Sequence, residues 1–161
     1  MKQFTPGLFD RLMGAHLPGP SSTISRLSIE DLKDAVARDL EALLNTRTVM
    51  DEALLADYPE CARSVASYGL SDFAGLSLSS TDDRAHICQH LENAITRHEP
   101  RLQEVRASLE VKEASINRLN FAISALLVLN ASSESVKFDA VLQPSSLHYT
   151  ITRARHAARK G

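Results

Sequence analysis

The chain has no tryptophan, and its aromatic residues are five Phe and three Tyr. Carbohydrate sites usually offer aromatic platforms, and single-stranded nucleic-acid sites stack bases on them. Both chemistries therefore start without their usual tools. Only two cysteines occur, Cys61 and Cys88, and they form no CxxC pair. That count excludes a disulfide scaffold and fits a reducing compartment. The six glycines are scattered singly, so no glycine-rich loop is present to cradle a phosphate or a dinucleotide. There is no Gly-x-Ser-x-Gly, and neither cysteine stands in a recognised nucleophile context. The most apolar run, residues 121–129, is too short to cross a bilayer. No long apolar stretch precedes Pro18-Gly19-Pro20, so the start does not read as a secretion signal. A net charge of −2 gives no global pull toward nucleic acid or an anionic membrane. The expectation is a cytoplasmic protein with no membrane insertion, no nucleic-acid partner and no cofactor.

What is present suits one domain with a real core: 161 residues, 43% hydrophobic and 24% charged. Residues 1–27 read as an arm punctuated by Gly7, Gly14 and Pro18-Gly19-Pro20. Its apolar residues Leu8, Phe9, Leu12 and Met13 share one face of a short helix. Such a helix is unstable alone and needs a surface, either its own domain or a partner. Ser28-Ile29-Glu30-Asp31 is a capping signal, and Ile29, Leu32, Val36, Leu40, Leu43 and Leu44 then recur at helical spacing. That helix is expected to stop near Asn45-Thr46-Arg47. Residues 48–80 are mixed, with a break at Tyr58-Pro59-Glu60 and a short helix from Cys61 to Tyr68 closed by Gly69. A second helix is expected from about Thr81 to His98, with Asp82 and Asp83 in its first turn and Arg97 and His98 in its last.

After Pro100 the apolar period changes from 3.6 to 2. Val105, Ala107, Leu109 and Val111 alternate with polar residues. So do Leu119 to Leu129, then Val136 to Leu142, then Leu147, Tyr149 and Ile151. Turn-rich gaps lie at 130–134 and 143–146. This is the pattern of an antiparallel meander of about four strands. Residues 116–130 also fit a buried helix, and unbroken period-2 alternation favours the strand. The fold class is thus α+β, with N-terminal helices packed on a small, mainly antiparallel sheet. The chain divides into an arm (1–27), a single domain (28–152) and a basic tail (153–161).

Glu99-Pro100-Arg101 sits where the helical pattern stops and the strand pattern starts. Proline fixes φ, lacks an N–H and drives the residue before it out of the α region. Residues two apart in extended chain share a face, so Glu99 and Arg101 are expected side by side on a stiff corner, facing outward. From the tripeptide alone, a helix-ending proline between solvated charges is the simpler reading, and a docking corner is the sharper one. His86 and His90 share a helix face at chelating spacing. A zinc protease would carry Glu where Ile87 stands, and no third ligand is signalled, so a polar face is the reading and no metal site is assigned. Glu99 is a conceivable general acid of a glycoside hydrolase. The adjacent Arg101 would push its pKa the wrong way for that task.

Several segments together resemble TssE, a baseplate wedge subunit family of the bacterial type VI secretion system, itself similar to a wedge protein of contractile phage tails. They are Leu8-Phe9-Asp10-Arg11-Leu12, Ser64-Val65-Ala66-Ser67-Tyr68-Gly69-Leu70-Ser71-Asp72-Phe73-Ala74-Gly75-Leu76-Ser77, Ile95-Thr96-Arg97-His98-Glu99-Pro100-Arg101-Leu102 and Leu119-Asn120-Phe121-Ala122-Ile123. Phe9 replaces a leucine of the family pattern, and His98 stands where the family often has an aromatic. The resemblance implies a structural, non-enzymatic subunit that links wedge components to the contractile sheath, at the inner face of the cell envelope. Its partners would be other wedge subunits and the sheath protein, with no small-molecule substrate. The partner-binding residues it implies are Leu8, Phe9, Asp10, Arg11 and Leu12 in the arm and Glu99, Pro100 and Arg101 at the corner. It further implies a sheet edge open to a strand of the neighbouring sheath protein. Phage relatives have been labelled lysozymes, so a muramidase-type hydrolase is the alternative. On this reading Arg101→Glu abolishes assembly and leaves the isolated domain folded.

Overall fold

The computed structural model describes residues 28–50, 52–73, 76, 80–110, 119–129, 132–143 and 145–154. Helix α1 (Ile29–Asn45) starts on a full capping box: the Ser28 hydroxyl accepts from the Asp31 amide at 3.1 Å, and the Asp31 carboxylate accepts from the Ser28 amide at 3.0 Å. Leu32, Val36, Leu40, Leu43 and Leu44 are buried, as their spacing predicts. The helix ends because Thr46 turns extended and the next residue, Arg47, forms a parallel bridge with Leu70. The Thr46 carbonyl accepts from Leu70 N–H at 2.9 Å, and Thr48 N–H donates to the Leu70 carbonyl at 3.0 Å. Gly69 makes that approach possible: its φ is +121°, and an added Cβ would lie 2.6 Å from the Thr46 carbonyl oxygen.

The expected helix from Cys61 to Tyr68 is not continuous. A short α3 (Pro59–Ala62) stops at Arg63, and a separate 3-10 turn (Val65–Ser67) begins where the Ser64 hydroxyl accepts from Ala66 N–H. Another short helix, α2 (Glu52–Asp57), precedes them. Gly69 therefore serves the bridge to α1 rather than a helix end. Helix α4 (Thr81–His98) follows its sequence reading, with Ser80 as cap and Ile87, Leu91, Ala94 and Ile95 buried.

Four antiparallel strands then follow in simple order: β1 (Leu102–Glu110), β2 (Leu119–Leu129), β3 (Ser132–Gln143) and β4 (His148–Arg153). Residues 119–129 are strand, not helix. Phe121, Ile123, Ala125 and Leu127 of β2, Phe138 and Ala140 of β3, and Tyr149 and Ile151 of β4 line the face buried with the helices. The boundaries differ from expectation at three points. β3 begins inside the stretch read as a turn, β4 begins after Leu147, and Arg153 belongs to the strand rather than to the tail. Leu147 instead occupies the left-handed region at φ +52°. In β1, Gln103 faces Leu126 but Arg106 faces Ser124, so two residues oppose one at a bulge with Glu104 at φ +51°. The bulge brings both Leu102 and Val105 into the core.

Both outer edges of the sheet are closed by helix side chains. On β4, Asn45 accepts from Tyr149 N–H at 2.8 Å and donates to its carbonyl at 2.9 Å, and Glu41 accepts from Ile151 N–H at 2.8 Å. On β1, Glu92 accepts from Ala107 N–H at 2.8 Å, and the half-buried Cys88 faces the Leu109 backbone. The periods match. Four residues of helix rise about 6 Å, and two residues of strand rise about 6.7 Å. Residues 41 and 45, or 88 and 92, therefore meet alternate outward amides. The resemblance implied an open edge; along these stretches neither edge is open.

Asn45→Ala removes both bonds to Tyr149 and leaves an edge N–H and carbonyl unpaired. Urea unfolding is expected to show a loss of about 1–3 kcal/mol, and Asn45→Asp, which keeps the acceptor, a smaller one.

Candidate functional site

The elbow between α4 and β1 is built by its own residues. Glu99 leaves the helix at φ −120° and ψ 80°, as a residue before proline must, while its N–H still reaches the Ile95 carbonyl at 2.8 Å. Leu102 N–H donates to the Glu99 carbonyl at 3.0 Å and closes the turn. The Arg101 carbonyl accepts from Val128 N–H at 2.8 Å, which ties the turn to the sheet.

Glu99 and Arg101 do lie side by side, but they grip each other. One Glu99 carboxylate oxygen accepts from Arg101 Nε at 2.6 Å and from Arg101 N–H at 3.2 Å, and the other is bonded by the same guanidinium. The guanidinium also reaches the Asp39 carboxylate on α1. The expectation of an outward-facing acid is corrected: Glu99 is 4% exposed. A carboxylate here can be buried because a fork two residues on bonds both its oxygens. The Arg101 side chain is 29% exposed and that of Asp39 is 48% exposed, so the rim of the cluster belongs to these two. Hydrogen bonding to Glu99 and then to Asp39 outweighs desolvation and holds the Arg101 pKa above its ordinary value.

Beneath the elbow, His98 packs edge-on against Tyr68, with ring centroids 5.4 Å apart. Its Nε2 lies 3.0 Å from the Ser67 carbonyl oxygen, an acceptor only, so that nitrogen carries the hydrogen. Burial pushes the His98 pKa below its ordinary value of 6.5, more than the Ser67 bond raises it. Burial also raises the Tyr68 hydroxyl, helped by the charges of Asp39 and Glu99. Asp39, Tyr68 and Ser67 thus join a site that sequence spacing did not assign to them. The partners of Arg101 and His98 lie 62 and 31 residues away, beyond any local pattern. The arm residues Leu8, Phe9, Asp10, Arg11 and Leu12 lie outside the described residues.

His86 and His90 come together on α4, with Nε2 atoms 2.7 Å apart. Among the described residues no group of three or more His, Cys, Asp or Glu is placed to hold a metal ion. No described helix is long and apolar enough to cross a membrane.

Against known proteins, residues 30–132 match the family described as baseplate wedge protein gp25. That span covers α1, α4, the elbow, β1 and β2. The chain is also similar to the anti-adapter protein IraD of Escherichia coli O6:H1 (strain CFT073). The two are 30% identical over 120 residues, covering 74% of this chain and 83% of that protein.

Arg101→Glu would leave Glu99 buried beside a second carboxylate and facing Asp39. The burial of Glu99 therefore argues against the expectation that this change spares the fold. A loss of about 3–5 kcal/mol is expected in urea unfolding, with Asp39→Asn, at an exposed carboxylate, costing less than about 1 kcal/mol. His98 gives a pH signature. Its folded pKa is depressed, so the unfolded state takes up its proton first as pH falls through 6.5. Its contribution is complete above that pH and lost below it. Comparing wild type with His98→Asn from pH 7.5 to 5, the stability advantage of wild type is expected to shrink.

Proposed function

We propose, from the premise that this chain belongs to the baseplate wedge protein gp25 family, that it is a structural wedge subunit of a type VI secretion baseplate. Family membership supports a structural role in a phage-tail-like baseplate. The finer reading is that the subunit links other wedge components to the contractile sheath in the cytoplasm, at the inner face of the cell envelope. The match over 30–132 carries it, because that span includes the elbow.

On this reading the elbow works as a braced corner. Glu99 and Pro100 set its shape, and Arg101 with Asp39 offers the rim that a neighbour touches. The apolar face of Leu8, Phe9 and Leu12 docks in a groove of a partner, with Asp10 and Arg11 flanking it. A place for an added sheath strand is supported by the ladder. β4 ends at Arg153 opposite Phe138, while β3 runs on to Ser132. Among the described residues no strand lies beside 132–136 on that side. An open cavity of about 410 Å³ lies there, lined by Lys33, Ser135, Val136, Lys137 and Phe138 among others.

The muramidase alternative asks Glu99 to donate a proton to a substrate. Both of its oxygens are instead engaged by Arg101, in a residue almost wholly buried. That arrangement supports a non-enzymatic reading. The similarity to a protein named as an anti-adapter favours a second reading, binding of a single protein partner.

Purification of the tagged chain from its native host separates these. A baseplate subunit is expected to bring several proteins, a sheath subunit among them, and to lose them with Phe9→Asp and Leu12→Asp while the domain keeps its circular dichroism spectrum. Retention of one protein alone would favour the second reading. Peptidoglycan turnover that disappears in Glu99→Gln would overturn the structural one.

A further inference from the structure

His86 and His90 stand one turn apart on α4, their ring centroids 4.3 Å apart and their Nε2 atoms 2.7 Å apart. The His90 ring also meets the edge of Phe73, with centroids 5.7 Å apart, which restricts its rotation. At 2.7 Å, one Nε2 carries a hydrogen and donates it to the lone pair of the other. The two nitrogens are therefore held within chelating reach of each other.

A metal ion needs two nitrogens at a similar separation, turned toward a point to one side of the line that joins them. With metal–nitrogen bonds of about 2.0–2.1 Å, two ligand nitrogens lie about 2.9 Å apart at a right angle and about 3.3 Å apart in a tetrahedron. The pair has to open by a few tenths of an ångström, and each ring has to turn until its lone pair points to the ion rather than to the other nitrogen. We propose that His86 and His90 form a two-imidazole chelate for a divalent transition-metal ion of the zinc, nickel and copper class. The ion takes the place of the shared hydrogen. That hydrogen returns through water to the Nδ1 of its own ring, so both imidazoles stay neutral and both ligate through Nε2.

Among the described residues no third His, Cys, Asp or Glu completes the set, so the affinity is assigned to two ligands on one rigid helix. Cys88 is turned to the β1 side, where it meets the Leu109 backbone, and is not a ligand. The claim does not depend on the baseplate reading.

The test is calorimetric titration of the full chain with zinc chloride and nickel chloride. One ion per chain is expected, with His86→Ala and His90→Ala each weakening binding at least about tenfold. Thermal unfolding should move upward with zinc in wild type and stay fixed in the double variant. Alanine favours helix at both positions, so the variants are expected to fold. Binding that persists unchanged in the double variant would assign the ion to other groups of the chain and overturn the proposal. Absence of any saturable binding by wild type would do the same.

Discussion

A four-strand meander has two outer edges, each a row of backbone amides that must find partners or face water. In this protein the partners are side chains of the two long helices. Asn45 and Glu41 bond alternate residues of β4, and Glu92 bonds Ala107 of β1, one helical turn from where Cys88 faces Leu109. This requirement fixes where each helix lies. If α4 is to run along β1, the chain must reverse within the few residues between His98 and Leu102. The Glu-Pro-Arg elbow is the local solution to that reversal, and the bulge at Glu104 lets Leu102 and Val105 both face inward just after it.

The elbow is braced by charge rather than by apolar packing. Its guanidinium is shared between Glu99, which belongs to the turn, and Asp39, which belongs to α1. One side chain therefore ties the turn to the helix at the far edge of the sheet. A buried ion pair of this kind carries a desolvation penalty that can offset its attraction, so its main effect here is on geometry. It permits one orientation of the turn, and it leaves the outer sides of Arg101 and Asp39 accessible.

Much of the architecture was legible locally. Ser28 with Asp31, and Ser80 before Asp82 and Asp83, mark the helix starts because capping is chemistry within one turn. Alternation from Leu119 onward identifies strand because one face of the sheet is buried. Even the bulge left a trace: Gln103 and Glu104 are adjacent polar residues between two core positions. What was not legible depends on contacts between distant segments. Asn45 meets Tyr149 across 104 residues, and nothing in the helix pattern distinguishes it from any polar residue at a helix end. The burial of Glu99 was not legible either, because a carboxylate reads as solvated unless its partner is known. The arm and most of the tail lie outside the described residues.

Arg153, the last residue of β4, is bound to Glu30 and, at 2.8 Å, to Asp34 in the opening turns of α1. The 27 residues before Ser28 and the basic segment after Ala154 consequently depart from one doorway of the domain. The described domain thus opens and closes at neighbouring points, and one cluster of charges, Arg153 with Glu30 and Asp34, fastens both.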